Sequence, residues 1–190
     1  MTRGPTLPAH RLPYLPKPLD AFNAAPADEA RALLLHCLHS LRWARRMADH
    51  RPYPDLDSLL AAADEAAYDL SPGDLGEALA GESLPELPDD TYSAAHMALS
   101  AAHAAYEARF GHTFVICPGD VHPDEVIDRI LEGIRSRLTN DPEEERIVAA
   151  DELRRLARTR LATCLRGAGP HPSAAPPRGV ANPNASAPGK

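Results

Sequence analysis

Tyr106-Glu-Ala-Arg-Phe-Gly-His-Thr-Phe-Val-Ile-Cys117 is the stretch on which the reading of the fold turns. A polar helical pattern that starts near Ser93 runs to Arg109 and stops at Gly111, a residue that enters the left-handed conformation without a Cβ penalty and so ends helices. The apolar run Phe114-Val-Ile-Cys117 follows at once and cannot extend that helix. It is also the one short apolar run in a chain that otherwise lacks alternating strand patterns. Two readings of it stay open. It is a buried connector between helices, or its amides and carbonyls, which have no intrahelical partners, hydrogen-bond a ligand.

Working outward, helix signals surround this segment. Downstream, Pro123-Asp-Glu125 opens a helix whose core face is Val126, Ile127, Ile130, Ile134 and Leu138. Asn140 caps it, and Asp141-Pro-Glu-Glu144 begins the last helix immediately. Upstream, Ser71-Pro-Gly-Asp74 combines a capping serine, a first-turn proline and an acid three residues on; a short helix through Leu75, Ala78 and Leu79 follows. Residues 81–90 read as an acidic loop. Asp55 to about Tyr68 is a helix with Leu56, Leu59, Leu60 and Ala63 inward. Further back, Pro26 with Asp28 and Glu29 makes a first helical turn. Leu34, Leu38 and Leu41 then form an apolar stripe, Trp43 and Met47 a neighbouring one, and the pattern persists until Pro52 and Pro54 break it. The fold class is all-α.

Composition bounds the rest. Of the 20 prolines, 11 fall in residues 1–18 and 167–190. Proline has no amide hydrogen and a fixed φ, so both ends are expected to be disordered, leaving 19–166 as a single multi-helix domain. A net charge of −7 argues against nucleic acid or an anionic membrane as partner. No window has the apolar length of a membrane span or secretory signal. Cys37, Cys117 and Cys164 are odd in number and widely spaced, which suits a reducing compartment; a cytoplasmic protein is expected.

Few residues carry chemistry on their own. His36 and His39, three apart on the expected helix, lack a third ligand, so no metal is predicted. His96 and His103 lie two turns apart, too far for joint ligation. No phosphate loop or nucleotide fingerprint is present, and no cofactor is expected. The last helix carries Arg154, Arg155, Arg158, Arg160 and Arg166, most of them a solvated face. Arg160 differs: Leu156, Leu161 and Cys164 flank it near the buried stripe. A guanidinium there needs a carboxylate partner, from the protein or from a substrate.

From Leu19 to Leu165 the chain resembles the decarboxylases that complete the oxidation of urate to allantoin by acting on 2-oxo-4-hydroxy-4-carboxy-5-ureidoimidazoline (OHCU). Tyr106–Cys117, Arg135-Ser-Arg-Leu-Thr-Asn140, Asp141-Pro-Glu-Glu-Glu145 and Arg160-Leu161 carry the resemblance most specifically. Phe22-Asn23, the Cys37 region, Trp43-Ala44, Met47 and Arg51-Pro52 match more loosely. The resemblance implies a helical domain, often a homodimer, acting without a cofactor on a small carboxylated ureido-imidazoline. It implies that Arg160 holds the substrate carboxylate and that Phe114, Val115, Ile116 and Cys117 contact the ligand.

The chain departs from the family pattern at its acid–base groups. The family's histidine belongs to a His-Pro motif directly after the helix that here ends Glu77-Ala-Leu-Ala80, yet the chain reads Gly81-Glu82-Ser83. The family's Glu-Gln pair is replaced by Pro88-Asp-Asp-Thr-Tyr-Ser-Ala-Ala-His96. Either Glu82, Glu86, Asp89 or His96 supplies the lost function, on this or another carboxylated heterocycle, or the chain is a non-catalytic binding module of the same fold.

Overall fold

Short capping motifs set where the helices begin. The computed structural model describes residues 18–83, 93–119, 121–122 and 125–166. Apart from Pro18, the ends expected to be disordered lie outside the described residues, as do Glu86, Asp89 and most of the acidic loop. The described residues form helices α1 (Pro18–Ala24), α2 (Ala27–Cys37), α3 (Leu41–Asp49), α4 (Leu56–Tyr68), α5 (Pro72–Ala80), α6 (Ser93–Phe110), α7 (Val126–Arg137) and α8 (Pro142–Arg166). No strand occurs among them, and none of these helices is long and apolar enough to cross a membrane.

The Asp55 side chain accepts the Ser58 N–H at 2.7 Å to start α4. At α5 the expected capping box is complete: Ser71 Oγ accepts the Asp74 N–H at 3.2 Å, and Asp74 accepts the Ser71 N–H at 3.0 Å. Gly111 ends α6 with φ +76°, the left-handed geometry that favours glycine.

The pattern expected to run as one helix from Pro26 to Pro52 is two helices. Leu38 (φ −148°) and Ser40 (φ −128°) are extended, and Ser40 Oγ caps α3 by accepting the Trp43 N–H at 3.3 Å. Pro26 sits at the cap of α2 rather than inside its first turn. The break lets each helix bury its own stripe: Ala30, Leu34 and Cys37 from α2, and Trp43, Ala44, Met47 and Ala48 from α3. It also turns Trp43 so that its indole N–H reaches the Ala63 carbonyl at 3.0 Å, satisfying the polar edge of a ring only 1% exposed. Arg51 ties the far end of α3 to α1 by donating to the Phe22 and Ala25 carbonyls at 2.7 and 2.8 Å.

Two apolar clusters result. The larger joins α1–α5 to the inner face of α8, through Ala149, Leu153, Ala157, Leu161 and Leu165. The smaller joins α6 and α7 through Leu99, Tyr106, Ile130 and Ile134. The 114–117 segment is the seam between them. Successive side chains of an extended chain point to opposite sides, and here Phe114 enters the smaller cluster while Val115 enters the larger.

Candidate active site

A cavity of 190 Å³ opens beside that seam. Phe114, Val115, Ile116 and Pro118 form one wall, Ile130 of α7 and Leu156 of α8 another, and Glu82, Ser83 and Arg160 supply the polar groups. Drug-sized ligands occupy roughly 300–1,000 Å³, so this space suits a single small heterocycle. Apolar walls with a few converging polar groups are the usual composition of a ligand site.

Arg160 lines the cavity from α8, and its partner comes from the residue pair after α5. Arg160 Nη1 and Nη2 donate to Glu82 Oε1 and Oε2 at 2.7 and 2.8 Å, a two-pronged fork. Nη1 also donates to the Cys37 carbonyl at 3.3 Å. The Glu82 side chain is only 4% exposed and that of Arg160 33%, so the pair is largely removed from water. Such charge-assisted bidentate bonds are among the stronger polar contacts in proteins. Glu82 raises the guanidinium's pKa further, so Arg160 is a permanent cation. His39, in the extended connector between α2 and α3, places Nδ1 3.5 Å from Glu82 Oε1.

The main chain of the seam is partly engaged by the protein, as a buried connector would be, and partly left open. The Phe114 N–H donates to His103 Nε2 at 3.4 Å and the Cys117 N–H to Glu152 Oε2 at 2.7 Å. The Val115 carbonyl accepts Arg137 Nη1 at 2.7 Å. Among the described residues, the Val115 and Ile116 N–H groups have no protein partner.

Arg137 is the anchor of this arrangement. Its Nε donates to Glu145 Oε1 at 2.8 Å, and its guanidinium lies 4.5 Å from the Phe114 ring centroid. Tyr106 donates its hydroxyl to the same Glu145 oxygen, while Asn140 Nδ2 donates to Oε2 at 2.8 Å. Glu145 and Tyr106 are fully enclosed, and desolvation together with the Glu145 carboxylate pushes the Tyr106 phenol's pKa upward. A buried ion pair is tolerable only when its remaining valences are met; the Tyr106 hydroxyl, the Asn140 amide and the Val115 carbonyl meet them here. The cluster holds α6, α7 and α8 on the seam.

The structure thus gathers Arg160, Phe114, Val115 and Ile116 around one cavity. Cys117 lies outside the lining, with Sγ 3.8 Å from Thr159 Oγ1. Of the acid–base candidates, Glu82 lines the cavity, while His96 is exposed on α6 and does not. His36 and His39 do not share a helix face, because His39 falls past the end of α2. Arg137 and Glu145 stand in stretches that carry the family resemblance, but neither residue is assigned a role from the sequence. Arg137 stands three residues after Ile134 on the apolar stripe of α7, and a charge at that spacing is the signal that finds it.

Comparison with known proteins bears on the family and the fold. A family model described as OHCU decarboxylase matches residues 23–89 and 86–162. A 2-oxo-4-hydroxy-4-carboxy-5-ureidoimidazoline decarboxylase of Amia calva is 34% identical over 117 residues, covering 56% of this chain and 63% of that protein. The chain therefore spans less than two thirds of that relative's length. Among solved structures, (S)-allantoin synthase is similar with a TM-score of 0.63 at 19% identity, over 79% of this chain and 54% of that one. An OHCU decarboxylase crystallised in the presence of (S)-allantoin gives 0.62 at 20% identity, over 74% and 99%. The two structures establish a shared fold, and the family model spans most of the chain: it belongs to the OHCU decarboxylase family.

Proposed function

We propose that the protein decarboxylates 2-oxo-4-hydroxy-4-carboxy-5-ureidoimidazoline to (S)-allantoin in purine catabolism, with Arg160 as the carboxylate anchor and Glu82 as the proton donor. The observation that carries this reading is that both groups converge on one small cavity beside a main-chain segment with two unengaged amides. In the reaction the carbon–carbon bond to the carboxylate breaks, CO2 leaves, and the electron pair stays on the heterocycle, which delocalises it without help from a cofactor. One proton must then reach a ring carbon. A substrate carboxylate entering the Arg160 fork separates Glu82 from its cation. At the cavity wall, freed from the fork, Glu82 is the carboxyl group placed to deliver that proton. The Val115 and Ile116 N–H groups match the carbonyl oxygens of a ureido-imidazoline.

A cytoplasmic location and a homodimer complete the proposal. The free thiols of Cys37, Cys117 and Cys164 support the first and the family resemblance supports the second, which light scattering tests. A second reading, a binding module without catalysis, is favoured by the Arg160 fork already being filled by Glu82. The two are separated by supplying freshly generated urate-oxidation product and following (S)-allantoin by circular dichroism. Acceleration over the spontaneous reaction supports the enzyme. No acceleration at high protein concentration removes it.

A further inference from the structure

The Glu82 carboxylate has two cationic or potentially cationic neighbours but is bonded to only one. Both its oxygens accept from Arg160 of α8. His39, from the α2–α3 connector, holds Nδ1 3.5 Å from Oε1 without hydrogen-bond geometry, and that nitrogen is buried and has no other partner among the described residues. Buried polar nitrogens in native folds are nearly always satisfied, so an open one beside a carboxylate marks an unused valence.

Gly81 shows that the ring's place is built in. A Cβ at this position would stand 2.4 Å from His39 Cγ and 2.9 Å from Nδ1. The backbone there has φ −82°, which any residue adopts, so the glycine is required by the imidazole and not by the turn. The chain keeps a clear slot beside Glu82 and fills it with His39.

We propose that His39 is a positioning residue that receives the Glu82 carboxylate when a carboxylate ligand takes over the Arg160 fork. The inference rests on the reading of Arg160 as the carboxylate anchor and adds a carboxylate exchange to it. Without a receiver, the displaced Glu82 competes with the ligand for the guanidinium. With one, it shifts to His39 and stays at the cavity wall.

Calorimetric titration of the full-length protein tests this with two probes. Diureidoacetate, the ring-opened acid of allantoin, carries the carboxylate; allantoin lacks it. His39→Ala should weaken diureidoacetate binding about tenfold or more and allantoin binding less than about twofold. His39→Asn, whose amide reaches the Nδ1 position, should restore most of the loss. Gly81→Ala should expel the ring and reproduce His39→Ala. Glu82→Gln should tighten diureidoacetate, and in that background His39→Ala should have no further effect, because the coupling runs through Glu82. Equal weakening of both probes, a His39 effect that persists beside Glu82→Gln, an unchanged Gly81→Ala protein, or no wild-type binding of diureidoacetate at millimolar concentration would each overturn the proposal. Allantoin formation by the wild type reports on the decarboxylase reading separately: activity with an uncoupled His39 rejects the exchange alone, and a coupled His39 without activity rejects catalysis alone.

Discussion

Replacing Arg137 by methionine should damage the protein far more than replacing an arginine on its surface. The substitution keeps much of the aliphatic volume but removes the cation bonded to Glu145, whose side chain is fully enclosed. It also strips the Val115 carbonyl of its 2.7 Å donor. Breaking a buried pair by deleting one partner costs about 3–5 kcal/mol, because the surviving charge has no compensation. Leaving a buried carbonyl unpaired adds up to about 1–3 kcal/mol, though the two losses overlap. Domains of this size hold about 5–15 kcal/mol in total, so Arg137→Met should remove about a fifth of it or more. Arg158 is the control. It pairs with Asp64 at 2.6 Å, but its side chain is 44% exposed, and such pairs contribute about 0–1 kcal/mol. Urea unfolding followed by far-ultraviolet circular dichroism measures both. Combining Arg137→Met with Glu145→Leu removes the orphaned charge and should recover about 2 kcal/mol of the single variant's loss. A single-variant cost under about 1 kcal/mol, or a double variant no better than the single, would refute the reasoning.

Other outcomes follow from local geometry. Gly133→Ala would place a Cβ 3.1 Å from Phe114 Cζ and from Ile116 Cδ1. Crowding of about 1–3 kcal/mol should outweigh the roughly 1 kcal/mol gain in helix propensity. Gly76, inside α5 with nothing within 4 Å, should instead stabilise as alanine by about 0.5–1 kcal/mol; unfolding midpoints that move the same way in both variants contradict the packing. Alkylation near pH ~8 should label the exposed Cys164 and spare Cys37, because the thiolate is the reactive form. Burial, then Cys164, pushes the Cys37 thiol up from 9.0 to about 12. A raised folded value means that its stabilising contribution is full below 9.0 and lost as the pH climbs toward 12. The unfolding midpoint should fall across that window; a flat profile there, or mass-spectrometric labelling of Cys37 alongside Cys164, would be inconsistent with the buried thiol.

What the chain declares about itself depends on how far apart the cooperating residues lie. Ser71 with Asp74, Asp55 with Ser58, and Gly111 act within a turn, so local chemistry reveals them. The break at Leu38–Ser40 stays hidden because its cap is a serine inside an unbroken apolar pattern, while the contacts that accompany it, such as the Trp43 indole on the Ala63 carbonyl, lie far apart in sequence. Arg160 can be placed near the core from its flanking Leu156 and Leu161, although Cys164, read in the same way, is exposed. Its partner cannot, since Glu82 stands 78 residues away. His39 reads as part of a helix face in the linear pattern, and that misplacement conceals its approach to Glu82. The seam is legible as an interruption between helices, but its anchoring by Arg137, His103 and Glu152 needs the tertiary fold.

The most direct test is the rate of (S)-allantoin formation from freshly generated urate-oxidation product by the wild type and by Glu82→Gln. A general acid typically contributes ~10²–10⁴-fold in rate, so the variant should lose at least about a hundredfold in kcat while still binding allantoin. Equal rates for the two proteins would contradict the assignment of Glu82, and with it the account of how this cavity replaces the acid–base groups that its sequence lacks.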